Sequence, residues 1–321
     1  MTMATTRWLV LTVAAVAGGG VAAADYPARP IRMLVGFTAG GGSDLAARNV
    51  AQKLIEVFGQ SVVVDNRTGA TGAIAAETVA KAQPDGYTLM MLAVAQVVAN
   101  VFDDKLAYNT ARDFAAVSYV SRNPYVVAVA PTLAARTVRE FIDLAKSQPG
   151  RLNYGSTGIG GSNHLVTELF NSVAGIRLTH VPYKGPPQAL ADLAGGHVDL
   201  VFASITSGLP LARAGKVRAL AVTSLRRSAA APDVPTVAET LPGFEVIGWY
   251  GVVAPKGTPA AIVNRLSGAI AKGLQSPEVR ERFAADGSET VGSTPAEFER
   301  HIVSEIARFR QVIRDAGIRR E

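Results

Sequence analysis

Two periods of apolar residues alternate along this chain. Ile31 to Val35 is a short, nearly continuous apolar run. Behind it Ala47, Val50, Ala51, Leu54 and Phe58 recur at helical spacing, and Gly59 supplies a helix stop. The order then repeats. Ser61 to Asp65 has the pattern of a buried strand, Asn66 to Gly72 that of a loop, and an alanine-rich helix runs to about Ala82. Pro84-Asp85-Gly86 is a turn leading into the apolar strand Tyr87 to Val94. Strands alternating with amphipathic helices predict an α/β fold built on a parallel, doubly wound sheet.

A second round begins after Asn123-Pro124, with a strand from Tyr125 to Val129. Thr137 and Glu140 have the spacing of a capping box, in which each side chain satisfies the other's backbone N–H. Further strands are predicted at Arg151–Tyr154, Leu178–Val181, Val198–Phe202 and Val217–Thr223, with helices from about His164 and over Pro187–Ala194. A last strand covers Trp249 to Pro255. Helices then start at Pro259 and Pro277, and the final one, opened by Thr294 and Glu297, carries Phe298, Ile302, Ile306, Phe309 and Ile313 on one face. Helices with no strand left to cover must pack on a layer already built. The expected organisation is therefore two doubly wound α/β domains. Residues 25–124 and 247–321 form a discontinuous first domain and 125–246 a second, with two chain crossings near 124 and 247 acting as a hinge.

The N-terminus changes the picture of where such a chain works. Arg7, the apolar run Trp8–Val16 and Ala22-Ala23-Ala24 give residues 1–24 the three parts of a cleavable secretory signal, which places the mature protein in the periplasm. The apolar stretch is too short to span a bilayer comfortably. There is no cysteine, which excludes disulfides, thiolate metal sites, a cysteine nucleophile and a lipidated N-terminal cysteine. The formal charge of +6 becomes +5 without Arg7. The basic residues are scattered rather than set in a stripe with aromatics, which argues against nucleic acid and for at most a mild preference for acidic small molecules.

The chemistry is concentrated in two glycine-rich strand-to-helix loops. Thr38-Ala39-Gly40-Gly41-Gly42-Ser43-Asp44 follows the first strand, and Gly155-Ser156-Thr157-Gly158-Ile159-Gly160-Gly161-Ser162-Asn163 opens the helix from His164. Glycine admits a ligand close to the backbone, and a helix start offers unpaired N–H donors at the positive end of a dipole. Two such loops suggest two half-sites facing one anion. Asp44 reads either as a cap of its helix or as an acceptor for a ligand ammonium group. His164 and Tyr183 either face the ligand or pack, and Arg67 fits a brace within its loop. The second loop lacks the last glycine of GxGxxG and any GK[ST] ending. No cofactor motif occurs, and the four histidines have no metal-ligand spacing. A serine hydrolase would have to use Ser156 or Ser162, and neither lies in Gly-x-Ser-x-Gly.

These residues also carry a resemblance. Tyr26-Pro27 to Pro30-Ile31, Gly40 to Asp44, Val64-Asp65-Asn66-Arg67 with Gly69, and Pro84 to Leu89 are similar to segments of the Bug family. So are Pro149-Gly150, Val181 to Gly185, Pro235 to Glu239, and Trp249-Tyr250-Gly251 with Ala254-Pro255. The Bug proteins are the extracytoplasmic receptors of tripartite tricarboxylate transporters. The resemblance implies a type II periplasmic binding protein fold that closes on a small carboxylate, an amino acid or an aromatic acid. It implies a receptor, not an enzyme, that delivers its ligand to membrane permease subunits, and the chain is expected to be a monomer. A membrane sensor kinase is the alternative partner. Carried over by motif, the ligand contacts are Phe37, Thr38, Ala39, Gly41, Gly42, Ser43 and Asp44, then Ala70 and Thr71. On the opposing domain they are Ser156, Thr157, Gly158, Ser162 and His164, with Tyr183 beside them. Where many relatives carry a bulkier or acidic residue after the Val198-Asp199 strand, this chain has Ala203 and Ser204, which leaves the identity of the ligand open.

Overall fold

Residues 26–315, apart from 104 and 184, are described by a computed structural model; the expected signal segment lies outside them. The first apolar run forms β1 (Ile31–Val35). It is followed by α1 (Gly42–Phe58), β2 (Val62–Asn66), a 3₁₀ turn at Ala70–Gly72, α2 (Ala73–Ala80), β3 (Thr88–Ala93) and α3 (Val94–Phe102). β1 pairs in parallel with both β2 and β3, as helical crossovers dictate. A long strand, β4 (Phe114–Val129), leads into α4 (Val138–Ser147), β5 (Asn153–Ser156), α5 (Ser162–Ala174) and β6 (Thr179–Pro182). Then come α6 (Pro186–Gly195), β7 (Leu200–Ser204), α7 (Ile205–Arg213) and β8 (Arg218–Val222). β9 (Ile247–Pro255), α8 (Ala260–Leu274), α9 (Pro277–Ala285), β10 (Glu289–Thr290) and α10 (Pro295–Asp315) complete the order.

The strands run β2-β1-β3-β9-β4-β7-β5-β6, with β8 and β10 attached to β4. Here the structure departs from the expected all-parallel sheet. β9 is antiparallel to both β3 and β4, and β4 is antiparallel to β7 and β8. The reason is connectivity: β9 returns from the far half of the chain without a crossover helix, so its direction is not constrained by one. The second departure is at Pro124, where the sequence predicts a strand start. β4 instead runs straight through. Pro124 is opposite Ile247 on the last rung with β9, and Tyr125 is opposite Ser204 on the first rung with β7. The proline thus occupies the handover between two partners, a place where a missing N–H is tolerated.

Each strand group is buried on both faces, which is why its strands read as continuous apolar runs. Met33 and Val35 of β1 pack with α1 and α8, whereas Leu34 faces the cluster of α2, α3 and α10. In β4, Val127 and Val129 join α4 and α5, and Val126 and Ala128 join α6 and α7. The C-terminal helices fold back as expected. Ile262, Leu266 and Ile270 of α8 share a cluster with Val50 and Leu54 of α1, and Phe298 and Ile302 of α10 pack on Trp249. Trp249 Nε1 also donates to the buried Glu305 of α10 at 3.1 Å. The capping box at Thr294 and Glu297 forms in both directions. At Thr137 only one half of the box forms: Glu140 N–H donates to Thr137 Oγ1, while the Glu140 carboxylate accepts from Arg136 N–H instead.

Candidate functional site: a cleft ringed by helix starts

The C-terminal ends of β3 and β7 turn directly into a helix and those of β1 and β5 do so through the two glycine-rich loops, and all four helix starts line one cavity of about 750 Å³. Gly42 and Ser43 bring α1, Val94 and Ala95 bring α3, Ser162 and Asn163 bring α5, and Ser204, Thr206 and Ser207 bring α7. The residues ahead of the helices are Gly41, Ala93, Gly161 and Ser204, and none caps its helix with its own side chain. The first-turn N–H groups of each helix are therefore left as donors beside a positive dipole end. Among the described residues lining the cavity, Lys216 is the only one with a charged side chain. Among the helix starts the electrostatic character of the cleft thus comes from the backbone, and there it favours an anion without a fixed ion pair.

The first loop is held in shape by a polar knot beneath it. Asp44 is buried, and its carboxylate accepts from Gly40 N–H at 2.9 Å, Arg48 Nε at 2.9 Å and Asn66 Nδ2 at 3.1 Å. Asn66 Nδ2 also donates to the Phe37 carbonyl at 2.9 Å. Burial pushes the Asp44 carboxyl up, but the bonds from Arg48, Gly40 and Asn66 outweigh it and hold it below the usual carboxylate range. Arg67 donates to Asp65 at 3.2 Å and so braces the neighbouring strand end rather than the cleft.

On the opposing side Asn163 performs the same service. Its Oδ1 accepts from Thr157 N–H at 3.2 Å and Thr157 Oγ1 at 2.9 Å, folding the second loop over the start of α5. Gly158 and Gly160 take φ of 105° and 76°, values that glycine alone adopts without strain. At α7 the Ser204 hydroxyl lies 3.0 Å from Thr206 Oγ1 and 2.8 Å from Ser207 Oγ, a compact hydroxyl cluster.

Phe37, Thr38, Ala39, Gly41, Gly42 and Ser43, then Thr157 and Ser162, then Ala203 and Ser204 all line the cavity. Other expected contacts lie elsewhere. Asp44 is beneath the loop with its oxygens occupied. Ala70 and Thr71 form the 3₁₀ turn after β2, at positive φ of 47° and 55°, outside the cavity wall. Ser156 is fully buried, bonds to His180 Nε2 at 2.6 Å and lies off the cavity wall. Gly158 is off the wall, and His164 is buried beside Tyr154 and His180, where desolvation pushes its pKa down to about 4. Tyr183 turns its hydroxyl onto Asp192 at 2.7 Å and packs against Gly155.

Sequence reasoning misses Asn123, Tyr125 and Tyr250, which come from the two strands that cross between the halves and line the middle of the cleft. Burial pushes the Tyr125 hydroxyl up to about 12, with the neighbouring Ser162 hydroxyl opposing the shift. Burial and the nearby Tyr125 raise Tyr250 as well, against the adjacent Asn123. Both hydroxyls are thus neutral O–H donors at any physiological pH. In sequence they are indistinguishable from core aromatics, and only the Trp249-Tyr250-Gly251 motif marks the place. The two halves touch here: a Cβ on Gly42 would lie 2.6 Å from Tyr250 Oη and 2.8 Å from Thr206 Oγ1.

Two α/β strand groups around a ligand-sized cleft of uncapped helix starts are the architecture of a solute-binding protein, and the chain is similar to the solved periplasmic binding protein BugD. The chain belongs to the tripartite tricarboxylate transporter receptor family, whose model, "Tripartite tricarboxylate transporter family receptor", matches residues 46–318. It is 38% identical to protein BugT of Bordetella pertussis over 319 residues, covering 97% of this chain and 98% of that one. Among solved structures it is similar to R. palustris Rpa4515 with adipate, at 39% identity and a TM-score of 0.88, covering 91% and 99% of the two chains. It is also similar to MatC from Rhodopseudomonas palustris with bound malate, at 32% identity and a TM-score of 0.84, covering 90% and 100%.

Proposed function

We propose that this protein is a periplasmic receptor that captures a small carboxylate between two domains, without chemical turnover, and hands it to the permease subunits of a tripartite tricarboxylate transporter. The observation that carries the reading is the convergence of four uncapped helix starts, two from each strand group, on one cavity with no acidic lining residue. The adipate and malate in the two similar structures support the same ligand class.

The domains are residues 25–124 with 247–321 and residues 125–246, and the crossings in β4 and ahead of β9 act as the hinge. The receptor works as a monomer, exported by the signal segment 1–24. Closure and binding are one event, because only the closed cleft lets both glycine loops reach the same ligand. Each helix start contributes about 0.3–1 kcal/mol to a bound anion, and each hydrogen bond to a charged group roughly 1.5–3 kcal/mol. Several together reach the ~8 kcal/mol of micromolar affinity after ordering costs. Backbone donors hold the carboxylate without an ion pair that would have to be broken on delivery.

The test is the unfolding midpoint of residues 25–321, refolded free of carried-over ligand, against a panel of mono-, di- and tricarboxylates, amino acids and aromatic acids. Binding to the folded form raises the midpoint as RT ln(1 + [L]/Kd). A concentration-dependent rise with a carboxylate is the expected result; a flat response to every acid refutes the reading.

A further inference from the structure

The cavity does not end at the helix starts. It is also lined by Leu190, Ala191 and Ala194 of α6, Pro210 and Leu211 of α7, Val201 of β7 and Lys216 beyond the end of α7, so the residues of the two helices define an apolar arm of the cavity. From Pro186 to Ala194 the α6 wall extends about 12 Å at 1.5 Å per residue. An extended chain of about ten bonds covers that length, from the 3.3–3.6 Å span of a three-bond residue. The whole cavity of about 750 Å³ has the room of about twenty-five waters at ~30 Å³ each. That is several times what a four-carbon acid occupies. Two features give the arm a direction. Its walls are apolar, so water there is readily displaced by an apolar group. Its far end carries an exposed ammonium group, Lys216, which makes no side-chain hydrogen bond or ion pair among the described residues.

We propose that the arm between α6 and α7 selects elongated acids: one carboxylate sits among the helix starts, an unbranched or aromatic apolar body lies along α6, and a second anionic group reaches Lys216. This rests on the carboxylate-receptor reading and narrows it to ligands longer than the four-carbon diacids. Ala203 and Ser204 fit the same picture. Both line the same cavity with small side chains, and a bulkier residue at either position would take up part of its space. Selection by length follows from geometry. A short diacid leaves the arm to water, a diacid of matching length fills it and pairs with Lys216, and a monoacid of the same length fills it without pairing.

Calorimetric titration of the mature chain with succinate, adipate, suberate, sebacate and dodecanedioate, and with decanoate, tests this. Affinity is expected to rise at least tenfold from succinate to the best of the longer diacids. Ala191→Trp, a change at an exposed helical position, should abolish that gain and leave succinate within about twofold. Lys216→Met should weaken the best diacid about two- to fivefold, the range of an exposed ion pair, without changing decanoate. The unfolding midpoint of each variant establishes that it is folded. Affinity that peaks at succinate or adipate, with Ala191→Trp indifferent to chain length, overturns the arm and leaves the receptor reading standing. Absence of binding by every acid in the series overturns both.

Discussion

Gly42 is where a single methyl group tests the closed cleft. Its missing Cβ would lie 2.6 Å from Tyr250 Oη and 2.8 Å from Thr206 Oγ1. Ordinary contacts between heavy atoms lie near 3.5–4.0 Å, so Gly42→Ala forces the neighbours back by about 1 Å. The two neighbours answer differently. Tyr250 is on β9, in the same strand group as α1, and its ring must tilt whether the cleft is open or closed. Thr206 is on α7 in the other group, and withdrawing it opens the cleft. Overpacking of this kind costs about 1–3 kcal/mol. Borne by the closed form, that corresponds to a loss of affinity of about 5- to 150-fold. The free protein suffers less, because it can withdraw Thr206 by opening and bears only the tilt of Tyr250. The assay pairs calorimetric affinity for an acid that stabilises the parent with the unfolding midpoint of the ligand-free variant. We expect the affinity loss with a midpoint shift below about 3 °C. Affinity within twofold of the parent would refute the contact across the cleft. A free-protein destabilisation as large as the loss in binding energy would show that the methyl group damages the fold rather than the closure.

Three further outcomes follow from the same geometry. Tyr250→Phe removes a neutral donor at the centre of the cleft and should weaken carboxylate binding about tenfold or more, with little change in unfolding midpoint; equal affinity by calorimetry would remove Tyr250 from the site. Asp44→Asn loses the bond from Gly40 N–H and the pairing with Arg48, at a cost of about 1–3 kcal/mol in urea unfolding at neutral pH. Because the folded carboxyl titrates below its ordinary range, its contribution is complete above about pH 3.9 and fades as the pH falls through the lower folded value, a loss the variant should lack. His164 is buried neutral with its pKa lowered to about 4 from 6.5. The unfolded chain therefore takes up a proton that the folded chain refuses, and stability should fall by up to about 1.4 kcal/mol per pH unit as the pH drops from 6.5 towards 4. His164→Gln should flatten that slope in urea titrations at stepped pH.

The loops were legible in the sequence and the middle of the cleft was not, for a physical reason. Gly40-Gly41-Gly42 is more glycine than a tight turn requires, and an apolar run followed by such a loop and a helical period has few other meanings. The helix starts at Gly42 and Ser162 lie within a few residues of where the periodicity puts them. The strand directions were less accessible, because period-two patterning says that a strand is buried and nothing about which way it runs. Pro124 misled for the same reason. Locally it signals a start, and only the change of partner from Ile247 to the Tyr125–Ser204 rung explains how a strand carries it in mid-course. Tyr125 and Tyr250 sit in apolar strands and look like core. Their hydroxyls meet the cleft only because β4 and β9 run between the two halves, a fact of tertiary structure. Asp44 reads both ways in the sequence, and Asn66, 29 residues from Phe37, is recognisable as the partner of the Phe37 carbonyl only once the parallel pairing of β1 and β2 is known.

In the proposed receptor the cradle for the anion is made of main-chain N–H groups, and that has a consequence for how it can change. Point mutation replaces side chains; it cannot delete a peptide N–H except by introducing proline. A mutational walk across Leu190, Ala191, Ala203 or Leu211 can therefore exchange one acid for another while the grip on the carboxylate persists throughout. Specificity is free to drift without the lineage ever passing through a form that binds nothing.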